Sequence, residues 1–391
     1  MNKLLLLFGS AIGFTDAAFA GSFEFSGSGM AGEYFGIMET RRGNNLDNMP
    51  NRAVFRADGK FEGAYRAVSG SRVGIHADYT VVDRQHDKNY PDGDWRFFPY
   101  LLGEDDRFGK LTAGYTYNAA LLLHTGAHDI TWLGIRDSNL TYFLSSANWK
   151  NGRKQVKFAT PKSTAIMDDG RAFKISYFTP EIGNTTFGFS YTPDNASRRG
   201  MVSRYVDYEK PEDGYTAGAR SRWKLGAGKL YTSVAYGIFN RTDNEWTAGA
   251  RWEYAGFDIG FSYKKAWVDG NKNPVATAAA GFGLPAYFDN YREGQAWDIS
   301  LGYDFGRFKT NIAYLHTEAE NTRHRDDLWM QSNRFAYNEY IELYWINGYL
   351  NSKGSERQSS ENNRGYAFIT GVALKYCPRS AVWASFFSRR L

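Results

Sequence analysis

Strict alternation of charged and apolar residues over long stretches is the feature that most limits how this chain folds. Between 52 and 67, Arg52, Arg56, Asp58, Lys60, Glu62 and Arg66 hold even positions. Ala53, Phe55, Ala57, Gly59, Phe61, Gly63, Tyr65 and Ala67 hold the odd ones, and only Val54 and Ala64 break the polar row. A period of two sends successive side chains to opposite faces of a β-strand. After Ser69-Gly70-Ser71 the pattern restarts. Val73, Ile75, Ala77, Tyr79 and Val81 face one way, and Arg72, His76, Asp78 and Thr80 the other. A short glycine-containing turn between two such runs specifies a hairpin.

The unit recurs. Trp246, Ala248, Ala250, Trp252 and Tyr254 alternate with polar residues up to Gly256, and Phe257, Ile259, Phe261 and Tyr263 follow. Trp297, Ile299, Leu301, Tyr303 and Phe305 repeat it before Gly306. Ala217, Ala219 and Trp223 alternate with Arg220, Arg222 and Lys224, a second basic row. These runs extend over about 10–12 residues, where soluble strands have a mode near 5–6 and a tilted membrane-crossing strand needs about 9–11. The charged face requires water, and the other is too aromatic for it. A closed barrel with a lipid-facing outside and a wet inside satisfies both, and closure removes unpaired edges.

Composition excludes the main competitors. Aromatic residues are 17% of the 391, which a disordered chain does not reach. Cys377 is the single cysteine, so there is no disulfide scaffold. A net charge of +5 is too slight to point to nucleic acid. Met1-Asn2-Lys3, an apolar stretch from Leu4 to Phe14 and Ala18-Phe19-Ala20 form the pattern of a secretory signal peptide. The expected organisation is a leader over 1–20 and one all-β barrel domain over 21–391.

Sixteen antiparallel strands are expected, and that number leaves an aqueous lumen. The last of them are placed at 308–319, 337–349, 364–376 and 381–391, with long connections at 118–170 and 320–336 among others. The connection 350–363 then falls where a short turn is due.

Several segments resemble the general porins of Gram-negative outer membranes, those of alphaproteobacteria above all. Phe108-Gly-Lys-Leu-Thr-Ala-Gly-Tyr115 is similar to the family strand that leads into its third extracellular loop. The stretch FKISYFTPEIGNTTFGFSYTPD at 173–194 resembles a family hairpin, and 54–79 is similar to the family's second and third strands. Beyond 245 only the hairpin rhythm matches. The chain departs from the family in ending at Leu391 rather than an aromatic residue, and in the length of 118–170.

The resemblance implies a homotrimer in the outer membrane, in contact with its lipid and lipopolysaccharide. It also implies a third loop folded into the lumen, whose carboxylates face basic residues of the wall. The loop candidates here are Asp129 and Asp137. The wall candidates are Arg52, Arg56 and Lys60, with Arg72 and His76 on the next strand. A pore of this kind filters ions and small hydrophilic solutes by radius and field and makes no bonds.

No catalytic residue, cofactor or metal is expected. Glu104-Asp105-Asp106 reads as a charged turn, and His124 and His128 lack a third ligand. Phe97-Phe98-Pro99-Tyr100 reads as interface belt or subunit contact. A serine-hydrolase G-x-S-x-G elbow and a P-loop are missing, and no G-x-G-x-x-G string stands in the strand-to-helix setting that a dinucleotide fingerprint needs. The competing readings are a channel selective for sugars or anions, an outer-membrane enzyme such as a barrel phospholipase, and a soluble secreted β-protein.

Overall fold

The computed structural model describes residues 21–40, 51–84, 94–131, 133–135, 148–150, 153–155, 163–167, 169–194, 202–203, 213–239, 241, 243–269, 293–320, 325–353, 363–376 and 381–383. The leader expected at 1–20, the loop carboxylate Asp137, and residues 384–391 lie outside them.

Among the described residues, sixteen barrel strands form one antiparallel sheet, to which two short segments, 202–203 and 381–383, add. The barrel strands are β1 Gly21–Thr40, β2 Asn51–Ala67, β3 Arg72–Arg84, β4 Asp94–Asp105, β5 Gly109–Tyr115, β6 Phe173–Phe178, β7 Thr185–Thr192 and β8 Gly214–Leu225. The second half is β9 Gly228–Phe239, β10 Asp243–Tyr254, β11 Phe257–Val268, β12 Gly294–Asp304, β13 Phe308–Ala319, β14 Arg325–Ala336, β15 Ile341–Lys353 and β16 Asn363–Tyr376. Each strand pairs with its neighbours in the chain, and β1 pairs with β16 from Gly29↔Tyr376 to Thr40↔Gly365, which closes the barrel. Closure leaves no unpaired edge for lipid to meet.

The alternation sorts onto the two faces as expected for most strands. Phe61, Ile75, Phe189, Val234, Phe261, Leu301 and Ile312 are exposed on the outside. Outward aromatic pairs gather at both strand ends. Near the short turns, Trp252 stacks on Tyr254 at 5.5 Å and Phe257 meets Tyr303 at 4.5 Å. Near the long connections, Tyr191 meets Tyr215 at 5.0 Å and Tyr349 meets Tyr366 at 4.5 Å. Two aromatic girdles around an apolar band are the mark of a membrane-crossing barrel.

The expected strand count holds, but the last strands are assigned differently. Residues 325–336, expected as connection, are strand β14, and β15 begins at Ile341 rather than 337. The expected strand at 381–391 is not a separate barrel strand in its described part. Ala381, Val382 and Trp383 pair with Phe25, Glu24 and Phe23 of β1, continuing the line of β16 with its register stepped by one residue. With β14 in place, 337–340 becomes the short turn and 354–362 the long connection, which removes the inversion noted in the sequence.

The reason β14 escapes the pattern is chemical. At mid-strand its inward row carries Leu328 and Met330, between the polar Asp326, Ser332 and Arg334, while Gln331 and the covered Asn333 share the outward row with the exposed Trp329. The polarity is inverted only around Leu328 to Asn333 and mixed elsewhere, so a search for apolar-out alternation passes over the strand. The inversion extends to neighbouring strands. Leu315, Ile346, Leu350 and Ile369 are buried inside the barrel with Leu328 and Met330. One sector of the inner wall is therefore a dry apolar core, where the sequence led us to expect an ionised lining throughout.

Candidate functional site: the lumen and the connection against its wall

The connection between β5 and β6 starts with a short helix, α1, Ala119–Leu123. Asn118 caps it by accepting the Leu121 N–H at 2.8 Å, and its amide donates to Asp169 Oδ1 at 2.6 Å and to the Ile166 carbonyl at 3.2 Å. Asp169 also accepts from Thr192 at 2.8 Å and lies 3.4 Å from Lys174. Both ends of the connection are thus joined through one buried carboxylate.

From His124 the chain runs along inward-facing side chains of the wall. Thr125 N–H donates to Ser233 Oγ at 2.9 Å, Ala127 N–H to Asp298 Oδ1 at 2.9 Å and His128 N–H to Ser300 Oγ at 3.0 Å. Asn311 donates to the His128 carbonyl. The return segment is held by the same wall: Thr164 and Ser262 both donate to Asp298, and Lys264 Nζ donates to the Ala165 carbonyl at 3.0 Å and meets Glu245 at 2.8 Å. Glycine in a strand marks a close backbone approach. Gly260 of β11 serves this purpose, since a Cβ there would overlap the Gly126 carbonyl. Farther along, Leu133 and Ile135 insert into the apolar sector.

Wall and connection together enclose a cavity of about 650 Å³. Five cations line it, Lys60, Lys110, Arg171, Arg220 and Arg251, against two carboxylates, Asp78 and Glu253. Arg171 is held between the rings of Phe98 and Tyr117, at 4.3 and 4.2 Å, and reaches Asp78 at 3.1 Å. Arg251 binds Asp258 at 2.9 Å and Glu253 at 2.8 Å, and Asp258 also meets His128 at 2.9 Å. Lys60, Lys110 and Arg220 form no ion pair among the described residues.

Of the residues singled out in the sequence, Lys60 and His76 line this cavity. His76 bridges Glu62 at 3.1 Å and Asp78 at 2.9 Å and stacks on Tyr100 at 4.6 Å. Arg56 is on the same inward face but is paired with Asp58, at 2.5 and 2.9 Å. Arg72 sits nearer the short turns with Glu62, with Glu24 at 3.2 Å and with Glu104 at 3.9 Å. The backbone of Arg52 pairs with Gly36. Asp129 accepts the Ile135 N–H at 2.8 Å and closes a turn within its own connection.

Sequence reading missed Lys110, Arg171 and Arg251 as lining residues. Lys110 was legible in the period-two pattern of β5. Arg171 was not, because its position depends on the path of the connection. Two smaller readings change. Asp105 is not merely a solvated turn charge, since it accepts from Ser71 at 2.6 Å and from the Arg107 N–H at 2.8 Å and ties two short turns together. Phe98 and Tyr100 face inward rather than forming a belt. Among the described residues no cluster of metal-ligating side chains occurs.

A closed sixteen-stranded barrel, girdled by aromatics outside and carrying a charged cavity inside, defines a transmembrane diffusion channel. The model of the Gram-negative porin family matches residues 100–354. The chain belongs to that family, which places it in the outer membrane as a multi-pass β-barrel for passive diffusion. No curated protein matches it. Among solved structures, a mutant of the Rhodopseudomonas blastica porin is similar at 13% identity and a TM-score of 0.50, covering 90% of this chain and 100% of that one. A porin refined at 1.8 Å has 12% identity and the same TM-score and coverage. Identity this low establishes the fold alone.

Proposed function

We propose that the chain, exported by a leader at 1–20, forms a homotrimeric water-filled channel through which ions and small hydrophilic solutes diffuse without any bond being made. The observation that carries this reading is the charged cavity between the wall and the connection carrying Thr125 to His128. Hydrated solutes fit such a lining and apolar ones must give up hydration to enter it. Lys60 and His76 act there. Arg52, Arg56 and Arg72 are its further basic candidates, and Asp129 and Asp137 its acidic ones.

The trimer has support on the outer surface. Around β13 to β15, Thr310 donates to Asn333 at 2.9 Å, Gln331 to Asn333 at 3.0 Å and Asn347 to Gln331 at 2.6 Å. Asn333 is covered, but Gln331 and Asn347 remain at least partly exposed on the outside, and amides there are poorly suited to acyl chains. A neighbouring protomer covers them better than lipid does. Refolded protein in a planar bilayer should insert with stable conductance steps in groups of three. Failure to conduct would refute the channel, and single independent steps would refute the trimer.

A further inference from the structure

We infer that the lumen carries a binding site for small polyvalent oxyanions of the phosphate type, built by Lys60, Lys110 and Arg220. The inference rests on the channel reading and adds the class of solute it favours. Three observations support it.

The first is the state of the charges. Both carboxylates of the cavity are engaged, Asp78 by Arg171 and His76, and Glu253 by Arg251. Glu104 stands opposite Lys110 in register, yet its nearest cationic contact is Arg72, at 3.9 Å. Lys60, Lys110 and Arg220 come from β2, β5 and β8 into one cavity; Lys60 stands across from Asp78 and Lys110 across from Glu104 in register, but those carboxylates are engaged by Arg171, His76 and Arg72, and none of the three cations forms an ion pair among the described residues. Uncompensated cations in a narrow, partly desolvated space attract counter-ions from solution. The attraction scales with the product of the charges, so a dianion gains about twice what chloride gains.

The second is the shape of the site. A cavity of about 650 Å³ has room for a phosphate group with part of its hydration shell. Lysine and arginine together supply both point-charge and forked donors suited to phosphate oxygens.

The third is an exit. Arg222 and Lys224 follow Arg220 on the same inward face of β8, and Lys224 is directly opposite Lys229 of β9. Arg222 has one distant partner, Glu181 at 3.8 Å, while Lys224 and Lys229 have none among the described residues. Lys229 lines a second cavity of about 390 Å³ toward the short turns. Alternate residues of a strand are about 6.6–6.8 Å apart along it. The row is a set of weak sites down which an anion can step, and conduction needs several weak sites rather than one tight one.

The test is reversal potential in a potassium chloride gradient, followed by titration of inorganic phosphate against the chloride current. The wild-type channel should favour chloride over potassium, and phosphate at about 10 mM should remove about half of the chloride current, the level expected of a weak multi-site binder. The pair Lys60→Glu and Arg220→Glu should reverse the selectivity and raise the half-blocking phosphate concentration about tenfold. A potassium-selective wild type, or a chloride current indifferent to phosphate, overturns the site while leaving the channel intact. Absence of conductance refutes the channel itself. If the double variant fails to refold, judged by β-sheet circular dichroism, the wild-type phosphate titration still decides.

Discussion

Gly249 lies directly under the carbonyl of Thr125, so close that any Cβ at 249 would overlap that oxygen. The wall is shaped for the connection at this point, and the Thr125 N–H completes the contact by donating to Ser233. The absence of a side chain at 249 is what lets a strand of the barrel and a strand-free segment lie in backbone contact.

Gly249→Ala should therefore cost about 1–3 kcal/mol, the usual penalty of overpacking. Thermal unfolding in detergent micelles, followed by circular dichroism, should shift downward. Gly27→Ala is the control, because a Cβ there finds its nearest neighbour at 3.5 Å, and its melting should match wild type. Equal melting of both variants would show that the connection does not press on Gly249.

Asp298 is the second anchor, accepting from Ala127, Thr164 and Ser262. Asp298→Ala leaves these buried donors without their acceptor, at about 1–3 kcal/mol for each group left unsatisfied. The connection should loosen. Protease added to the folded variant should cut between 116 and 172 at a concentration that spares wild type, and single-channel conductance should rise. An uncut, unchanged channel would assign Asp298 no anchoring role.

Lys264 and Glu245 are both buried and paired at 2.8 Å. Removing one partner leaves an uncompensated buried charge, so Lys264→Met or Glu245→Gln alone should cost about 3–5 kcal/mol. Replacing both should recover most of that loss. A double-mutant cycle on urea unfolding reads the coupling, and additive losses would refute it.

The outward amides of β14 and β15 allow a test whose two outcomes have opposite sign. In contact with lipid, Gln331→Leu with Asn347→Leu should be neutral or stabilising to trimer and barrel alike. At a protomer interface the same pair should lower the temperature at which trimers dissociate on semi-native gels, while barrel melting stays level or rises. Trimers as stable as wild type would move the interface elsewhere.

The legible part of this chain was its hairpins. In β8, β10, β11 and β12 the outward apolar residues and inward polar ones read correctly, because both faces announce themselves in every second residue. Reading failed at β14, where Leu328 and Met330 face inward and Gln331 and Asn333 outward. It also failed at the lining cation Arg171, whose place is decided by contacts with Phe98, Tyr117 and Asp78. Arg56 and Arg72 were rightly placed on an inward-facing row, but their partners could not be read from a row, since Asp58 and Glu62 neutralise them from neighbouring positions.

Period-two chemistry alone determined that the chain is a long-stranded barrel, apolar outside and wet inside, because side-chain direction in a strand is a local property. The tertiary structure decided which cations stay uncompensated, where the inner wall turns dry, and how the β5–β6 connection lies on Gly249 and Gly260. Those outcomes depend on residues more than a hundred positions apart meeting across the closed sheet, as Ala127 meets Asp298, and no local pattern encodes such a meeting.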